Sequence, residues 1–250
     1  ITKKTQLAPP DKFSGSHWYG IQAINNLGKP AALIGHSLGE YTALCLSGYL
    51  DYKDALKVIA VRGEEMHKAV ENSNTTMAAV LTGDLETTIE EVEKLNNQGI
   101  QIWISNFNDP SQIVISSYID DMNYLKSNPK ALGAKRVIPL EVAGAFHTEI
   151  VSSAKKPLED TLNSIDISEG KIPVYMNVDA KKVEVSTLKE NLVNQIDNSV
   201  LFNQQIEFVN NDIDPDLWCH IGPGNVTAGM VRKSISYKDL KVINSLESSK

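Results

Sequence analysis

The sequence predicts an α/β fold in which a parallel-sheet core is interrupted by a smaller inserted module. Two observations carry this. Towards both ends of the chain, helical patterns alternate with single short apolar runs, the rhythm of a parallel sheet flanked by helices. Between residues 74 and 141 the order changes to strand, helix, strand, strand, helix, strand, the βαββαβ signature of a ferredoxin-like unit. The expected organisation is a core of residues 1–73 and 142–250 with a ferredoxin-like subdomain of residues 74–141 inserted into it.

The elements follow in order. Ala8-Pro9-Pro10-Asp11 and Ser14-Gly15-Ser16 are turn chemistry, leaving 18–27 as a short helix. Ala31-Ala32-Leu33-Ile34 is an apolar run ending at Gly35 and reads as a buried strand. Residues 38–47 form a helix stopped by Gly48, and 51–70 a second one with Ala55, Leu56, Ile59 and Met66 near helical spacing. In the insert, strands are expected at 77–81, 100–105, 113–116 and 135–142, and helices at 85–95 and 118–126. Beyond it, segments 149–165, 173–177, 186–196, 217–221, 226–234 and 240–244 resume the alternation of helices and single strands.

Composition narrows the function. The 250 residues are 42% hydrophobic and 22% charged, enough apolar material for a core, which rules out wholesale disorder. No apolar run approaches the ~18 residues that span a bilayer. A net charge of −7 argues against general nucleic-acid binding. Cys45 and Cys219 are too few for a disulfide framework and suit a reducing compartment.

Gly35-His36-Ser37-Leu38-Gly39 is a G-x-S-x-G pentapeptide between an expected strand and an expected helix, the context that makes Ser37 a candidate nucleophile. The Leu38 N–H, at the helix start, is the natural oxyanion donor. A serine hydroxyl needs a base. His36 should point away from Ser37, His67 ends a long helix, and His17 lies in the first 30 residues, where the pattern is weakest. His147 follows a strand in Gly144-Ala145-Phe146-His147-Thr148, the kind of strand-end loop where open α/β sheets gather catalytic groups. His220 sits inside an apolar run, although Ser37, Asp214 or Asp216, and His220 would follow the chain order of a hydrolase triad. His147 is the preferred base. Arg62, on an otherwise apolar helix face, either pairs with a structural carboxylate or grips an anionic substrate with its guanidinium fork.

Together these residues resemble the malonyl-CoA:acyl-carrier-protein transacylases and related acyltransferase domains of fatty-acid and polyketide synthesis. The resemblance runs from about Lys29 to Val242. It rests on Gly35-His36-Ser37-Leu38-Gly39-Glu40-Tyr41, Arg62-Gly63-Glu64-Glu65-Met66, the run Asn106 to Gln112, Gly144 to Thr148, Asn177-Val178-Asp179 and Gly222-Pro223-Gly224.

The resemblance implies a hydrolase-like α/β core with the ferredoxin-like insert, and ping-pong transfer of malonate from coenzyme A to Ser37 and on to a carrier's phosphopantetheine thiol. His147 would be the base, oriented by a backbone carbonyl for which Leu201 is the candidate. Arg62 would hold the malonyl carboxylate and Phe146 would wall the pocket; Asn177-Val178-Asp179 and Gly222-Pro223-Gly224 read as structural turns. No cofactor is implied, malonyl-CoA being a substrate. The partner would be acyl carrier protein, docking at Lys155 and Lys156 of a monomer, with no nucleic acid and no membrane. The compartment would be the cytoplasm of a bacterium, or a plastid or mitochondrial matrix in a eukaryote. The family opens with a strand and a Gly-Gln-Gly-Ser-Gln loop that this chain, starting at Ile1, lacks, so a fragment is expected. The rival readings are a trans-acting acyltransferase of a polyketide synthase, a serine esterase using Ser37, Asp214 or Asp216, and His220, and a silent binding module.

Overall fold

A computed structural model of the chain describes residues 2–235, 239–245 and 248. The chain begins with α1 (Thr2–Leu27), β1 (Leu33–Ile34), α2 (Leu38–Ser47) and α3 (Tyr52–Val70). The turns expected near residues 8–16 are absent, because α1 runs unbroken through Pro9, Pro10 and Ser14-Gly15-Ser16. Tertiary packing overrides local propensity here. Helix α1 lies against α2 and α3, with Phe13 fully buried and its ring centroid 5.4 Å from that of Tyr52. At Gly20 the helix comes so close that a Cβ would stand 2.3 Å from Leu46 Cδ1. The stop expected at Gly48 is present: it is left-handed, φ 90°, and its N–H returns to the Leu44 and Cys45 carbonyls.

The insert comprises β2 (Thr75–Thr82), α4 (Leu85–Asn97), β3 (Ile102–Asp109), β4 (Gln112–Tyr118), α5 (Ile119–Ser127) and β5 (Ala134–Pro139). Its four strands form one antiparallel sheet in the order β3-β4-β2-β5. It has its own core, with Ala78, Val80, Ile113 and Ile115 of the sheet packed against Val92, Leu95 and Leu125 of the helices. The core of the molecule resumes with a 3-10 segment (Glu149–Ala154), α6 (Lys155–Asn163), β6 (Val174–Tyr175) and α7 (Val185–Asn194). Then come α8 (Phe202–Ile213), β7 (Leu217–Ile221), α9 (Val226–Ser234) and β8 (Asp239–Ile243). The single helix expected over 149–165 is thus split between 3-10 and α geometry. Helix α8 was not expected at all, although its buried Phe202, Ile206 and Val209 fall at helical spacing.

Two parallel pairs supply the α/β core. β1 pairs with β6, Leu33 facing Val174 and Ile34 facing Tyr175, and β7 pairs with β8 from Leu217–Asp239 to Ile221–Ile243. Between the pairs lies a cavity of about 730 Å³, lined by β1, β7 and one side of α1. The insert is stitched to the core along β3. Phe107 N–H donates to Val200 O and Val200 N–H to Ser105 O, each 2.9 Å, and the Ser199 hydroxyl donates to Ile104 O. Lys233 Nζ of α9 meets the buried Asp109 carboxylate at 3.3 Å. Among the described residues, no helix is long and apolar enough to cross a membrane.

Candidate active site

The site is built where β1 turns into α2. Ser37 caps α2 with φ 51° and ψ −105°, a left-handed backbone in which a serine sits only under constraint. The constraint is visible at Gly35, where a Cβ would lie 2.1 Å from the Gly39 carbonyl group and 2.4 Å from Glu40 N, so no side chain fits. Gly39 differs: nothing lies within 4 Å of a Cβ built there, so its absence of side chain is not enforced by contact. Asn177, in the loop after β6, pins the turn from both sides. Its Oδ1 accepts the Ser37 N–H at 2.8 Å and its Nδ2 donates to Gly35 O at 2.6 Å.

Ser37 Oγ and His147 Nε2 are 2.8 Å apart, and His147 Nδ1 is 2.8 Å from the main-chain oxygen of Gln195. A carbonyl can only accept, so Nδ1 carries the proton and Nε2 is left to receive one from the hydroxyl. His147 itself has φ 59° and is buried. Its loop is fixed by Ala145 N–H to Thr75 Oγ1 at 3.0 Å and by Thr148 Oγ1 to Ala145 O at 2.8 Å. Burial, and then the Arg62 charge, push the imidazole down to about 3, so it stays neutral, with Nε2 free to accept, through the usual pH range.

The carbonyl that meets His147 Nδ1 is therefore that of Gln195, not that of Leu201 as expected. Gln195 caps the C-terminus of α7, where carbonyls have no partner within the helix. Leu201 caps the N-terminus of α8: its oxygen accepts Gln205 N–H at 3.0 Å and its N–H donates to Asn177 O at 2.9 Å.

Arg62 lies on the buried face of α3 with Ala55, Val58, Ile59, Met66 and Val70. Nη2 donates to Ser37 Oγ at 2.9 Å and to Gln195 Oε1 at 2.8 Å, while Cζ stands 5.6 Å from the Tyr41 ring centroid. Nε is buried and makes no hydrogen bond among the described residues. A guanidinium so placed beside a serine hydroxyl, with donor capacity to spare, suits an anionic group on whatever that hydroxyl attacks. Phe146 is half-buried and packs on the core around α2 and α3. The Leu38 N–H, first in α2, makes no hydrogen bond among the described residues.

Other expected groups lie elsewhere. His36 turns from Ser37, bonding Asn108 Oδ1 at 2.9 Å and meeting the Phe202 ring edge-on. His220 Nδ1 pairs with Thr227 Oγ1 at 2.6 Å, and Asp214 and Asp216 are exposed, so the alternative triad is not assembled on Ser37. Lys155 turns inward to Asp197 and Asn194, at 3.0 and 3.1 Å, whereas Lys156 is exposed beside Glu159 and Asp160. Glu40 and Gln195 received no role from the sequence and Asn177 only that of a structural turn, yet all three are fully buried at the turn. Only Glu40 gave a signal: it is the one charged residue in the apolar helix Leu38–Ser47.

Residues 22–247 match the family model for the acyl transferase domain. The chain belongs to that family. It is 38% identical to the malonyl CoA-acyl carrier protein transacylase of Bacillus subtilis (strain 168), the match covering 92% of this chain and 69% of that protein. Identity to the transacylase of the same name from Staphylococcus aureus (strain MRSA252) is 34%, over 92% of this chain and 74% of the other. Among solved structures, the malonyl CoA-acyl carrier protein transacylase from Clostridium perfringens superposes with a TM-score of 0.89 at 31% identity, over 98% of this chain and 77% of that one. A malonyl-transacylase in complex with a type II PKS acyl-carrier protein gives a TM-score of 0.90 at 29% identity, over 98% and 80%.

The contact at the turn makes a sharp pair of expectations. Gly35→Ala forces its methyl into backbone and should cost about 3 kcal/mol or more. Gly39→Ala, in open space within a helix, should be neutral or stabilising by up to ~1 kcal/mol. Thermal denaturation of both variants checks this; equal destabilisation would contradict the contact geometry.

Proposed function

We propose that the chain transfers a malonyl group from coenzyme A to the phosphopantetheine thiol of an acyl carrier protein, in fatty-acid synthesis, through an ester on Ser37. The observation that carries this is the convergence of Arg62 Nη2 and His147 Nε2 on one hydroxyl, at 2.9 and 2.8 Å. His147 takes the Ser37 proton as Oγ attacks the thioester carbonyl carbon, and the Leu38 N–H receives the developing oxyanion. The intermediate collapses by breaking the C–S bond, and the imidazolium returns the proton to the leaving thiolate. The carrier thiol then gives its proton to His147 and attacks the Ser37 ester, and the serine alkoxide recovers that proton as it leaves. Arg62 shifts from Ser37 to the free carboxylate of the malonyl group, Phe146 walls the acyl pocket, and no cofactor enters either half-reaction. The carrier's acidic surface would meet Lys156 rather than the inward Lys155. In a bacterium the reaction would run in the cytoplasm.

Intact mass spectrometry after mixing with malonyl-CoA should give a malonyl adduct that maps to Ser37. His147→Ala should reduce its rate of formation roughly 10²–10⁴-fold, with His220→Ala near wild type. An unmodified Ser37, or the reverse order of the two histidine variants, would sink the assignment. Arg62→Ala should weaken malonyl loading about 10-fold to 100-fold and leave acetyl loading equal or better; an equal loss for both acyl groups would remove the carboxylate role. Because His147 is held below its ordinary 6.5, protonation does not disable it near that pH. The acylation rate should therefore persist as pH falls through 6.5, and stopped acid-quench measurements showing an acid limb centred there would contradict the buried neutral imidazole.

A further inference from the structure

Glu40 is the third residue of α2, a position from which a glutamate commonly folds back onto the N-cap N–H. It does not do so here, because the Ser37 N–H is already given to Asn177 Oδ1. The Glu40 carboxylate instead crosses to two other segments. Oε1 accepts the Asn177 N–H and Oε2 accepts Gln195 Nε2, each at 2.5 Å. Gln195 Nε2 also donates to Ser37 O at 3.0 Å, and its Oε1 accepts from Arg62 Nη2 at 2.8 Å. The amide can sit only one way round, since Arg62 offers only donors and Ser37 O only accepts. Its main-chain oxygen is the atom that holds His147 Nδ1. One residue thus touches the base through its backbone and the guanidinium through its side chain, and its far end is tied to Glu40. Burial raises the Glu40 carboxyl to about 8, outweighing the downward pull of the two N–H donors and then of Arg62.

We infer that Glu40 is a positioning residue for this reaction: acting through Gln195, it fixes the carbonyl that orients His147 and the amide oxygen that parks Arg62. The inference rests on the transfer reading only where acyl groups are measured. The Glu40 side chain makes no hydrogen bond to the Ser37 hydroxyl. Its effect is to remove slack from the α7 C-terminus, where a carbonyl at the end of a helix is otherwise free to tilt.

The test is Glu40→Gln, which keeps the shape but sets a nitrogen that cannot accept against one of the two N–H donors. In the wild-type protein, ¹⁵N NMR of the His147 ring should show one neutral tautomer, protonated at Nδ1. In Glu40→Gln that signal should move towards a mixture of tautomers, Ser37 acylation by malonyl-CoA should slow about 10-fold to 100-fold, and the preference for malonyl over acetyl should narrow. Gln195→Met retains the main-chain oxygen but loses the tether, and should reproduce the tautomer change even if Glu40→Gln does not fold. A wild-type tautomer in both variants, or a rate that falls only with the folded fraction, overturns the inference. The NMR arm uses no substrate. A wild-type protein that forms no adduct on Ser37, with the expected tautomer shift in the variants, overturns the transfer reading and upholds the positioning role of Glu40.

Discussion

At Gly35 the chain passes so near the first turn of α2 that a single methyl group would stand 2.1 Å from the Gly39 carbonyl, and the rest of the site is organised around that approach. The close passage forces Ser37 into a left-handed backbone, which throws its side chain outward from the end of β1. It also leaves the Ser37 N–H and the Gly35 carbonyl to be met by side chains, while the Ser37 carbonyl accepts the Glu40 N–H at 3.2 Å and a side chain besides. These three groups are taken by two amide side chains, Asn177 and Gln195, whose fixed planes carry the geometry of the turn to neighbouring segments. The strain of the turn is thus held in place by the same contacts that place His147 and Arg62.

The buried polar cluster carries a heavy desolvation cost, and its composition shows how that cost is offset. Arg62, Glu40, His147, Asn177 and Gln195 are all more than nine-tenths buried. Partial satisfaction would destabilise the fold, because an unmatched polar group in a low-dielectric interior loses its water without replacement. Nearly every donor and acceptor is matched, and the conspicuous exception, Arg62 Nε, lies on the one residue with a reason to keep a donor in reserve. Low dielectric also keeps His147 neutral, which lets it act as an acceptor towards Ser37 while donating to Gln195.

Much of this was legible in the residues. The strand, turn and helix around Ser37 follow from an apolar run broken by glycines, and the change of rhythm at the insert follows from strand spacing. Ser37, His147 and Arg62 could be singled out because each is a polar group where the pattern calls for a turn or an apolar face. The failures have physical causes. Pro9 and Pro10 argue for turns, but the burial of Phe13 against Tyr52 outweighs them and holds α1 together. Leu201 rather than Gln195 is what the resemblance suggests, because a backbone carbonyl leaves no trace in a side-chain pattern; only the end of α7 decides which oxygen is unclaimed. Asn177 read as a turn residue, which it is, but its side chain bonds across 140 residues, a relation no local pattern records.

The insert has a consequence for how the molecule acquires its site. Ser37 and His147 are 110 residues apart, and the closure of so long a loop is paid in chain entropy before any contact rewards it. β2 and β5, the first and last strands of the insert, are hydrogen-bonded neighbours, with Ala78 facing Pro139. Once the insert has folded around its own core, its two ends already lie side by side, and more than half of the chain between serine and histidine no longer counts towards the search. The module is in this sense a kinetic clasp: local folding of an independent sheet shortens the path by which two distant loops of the core find each other.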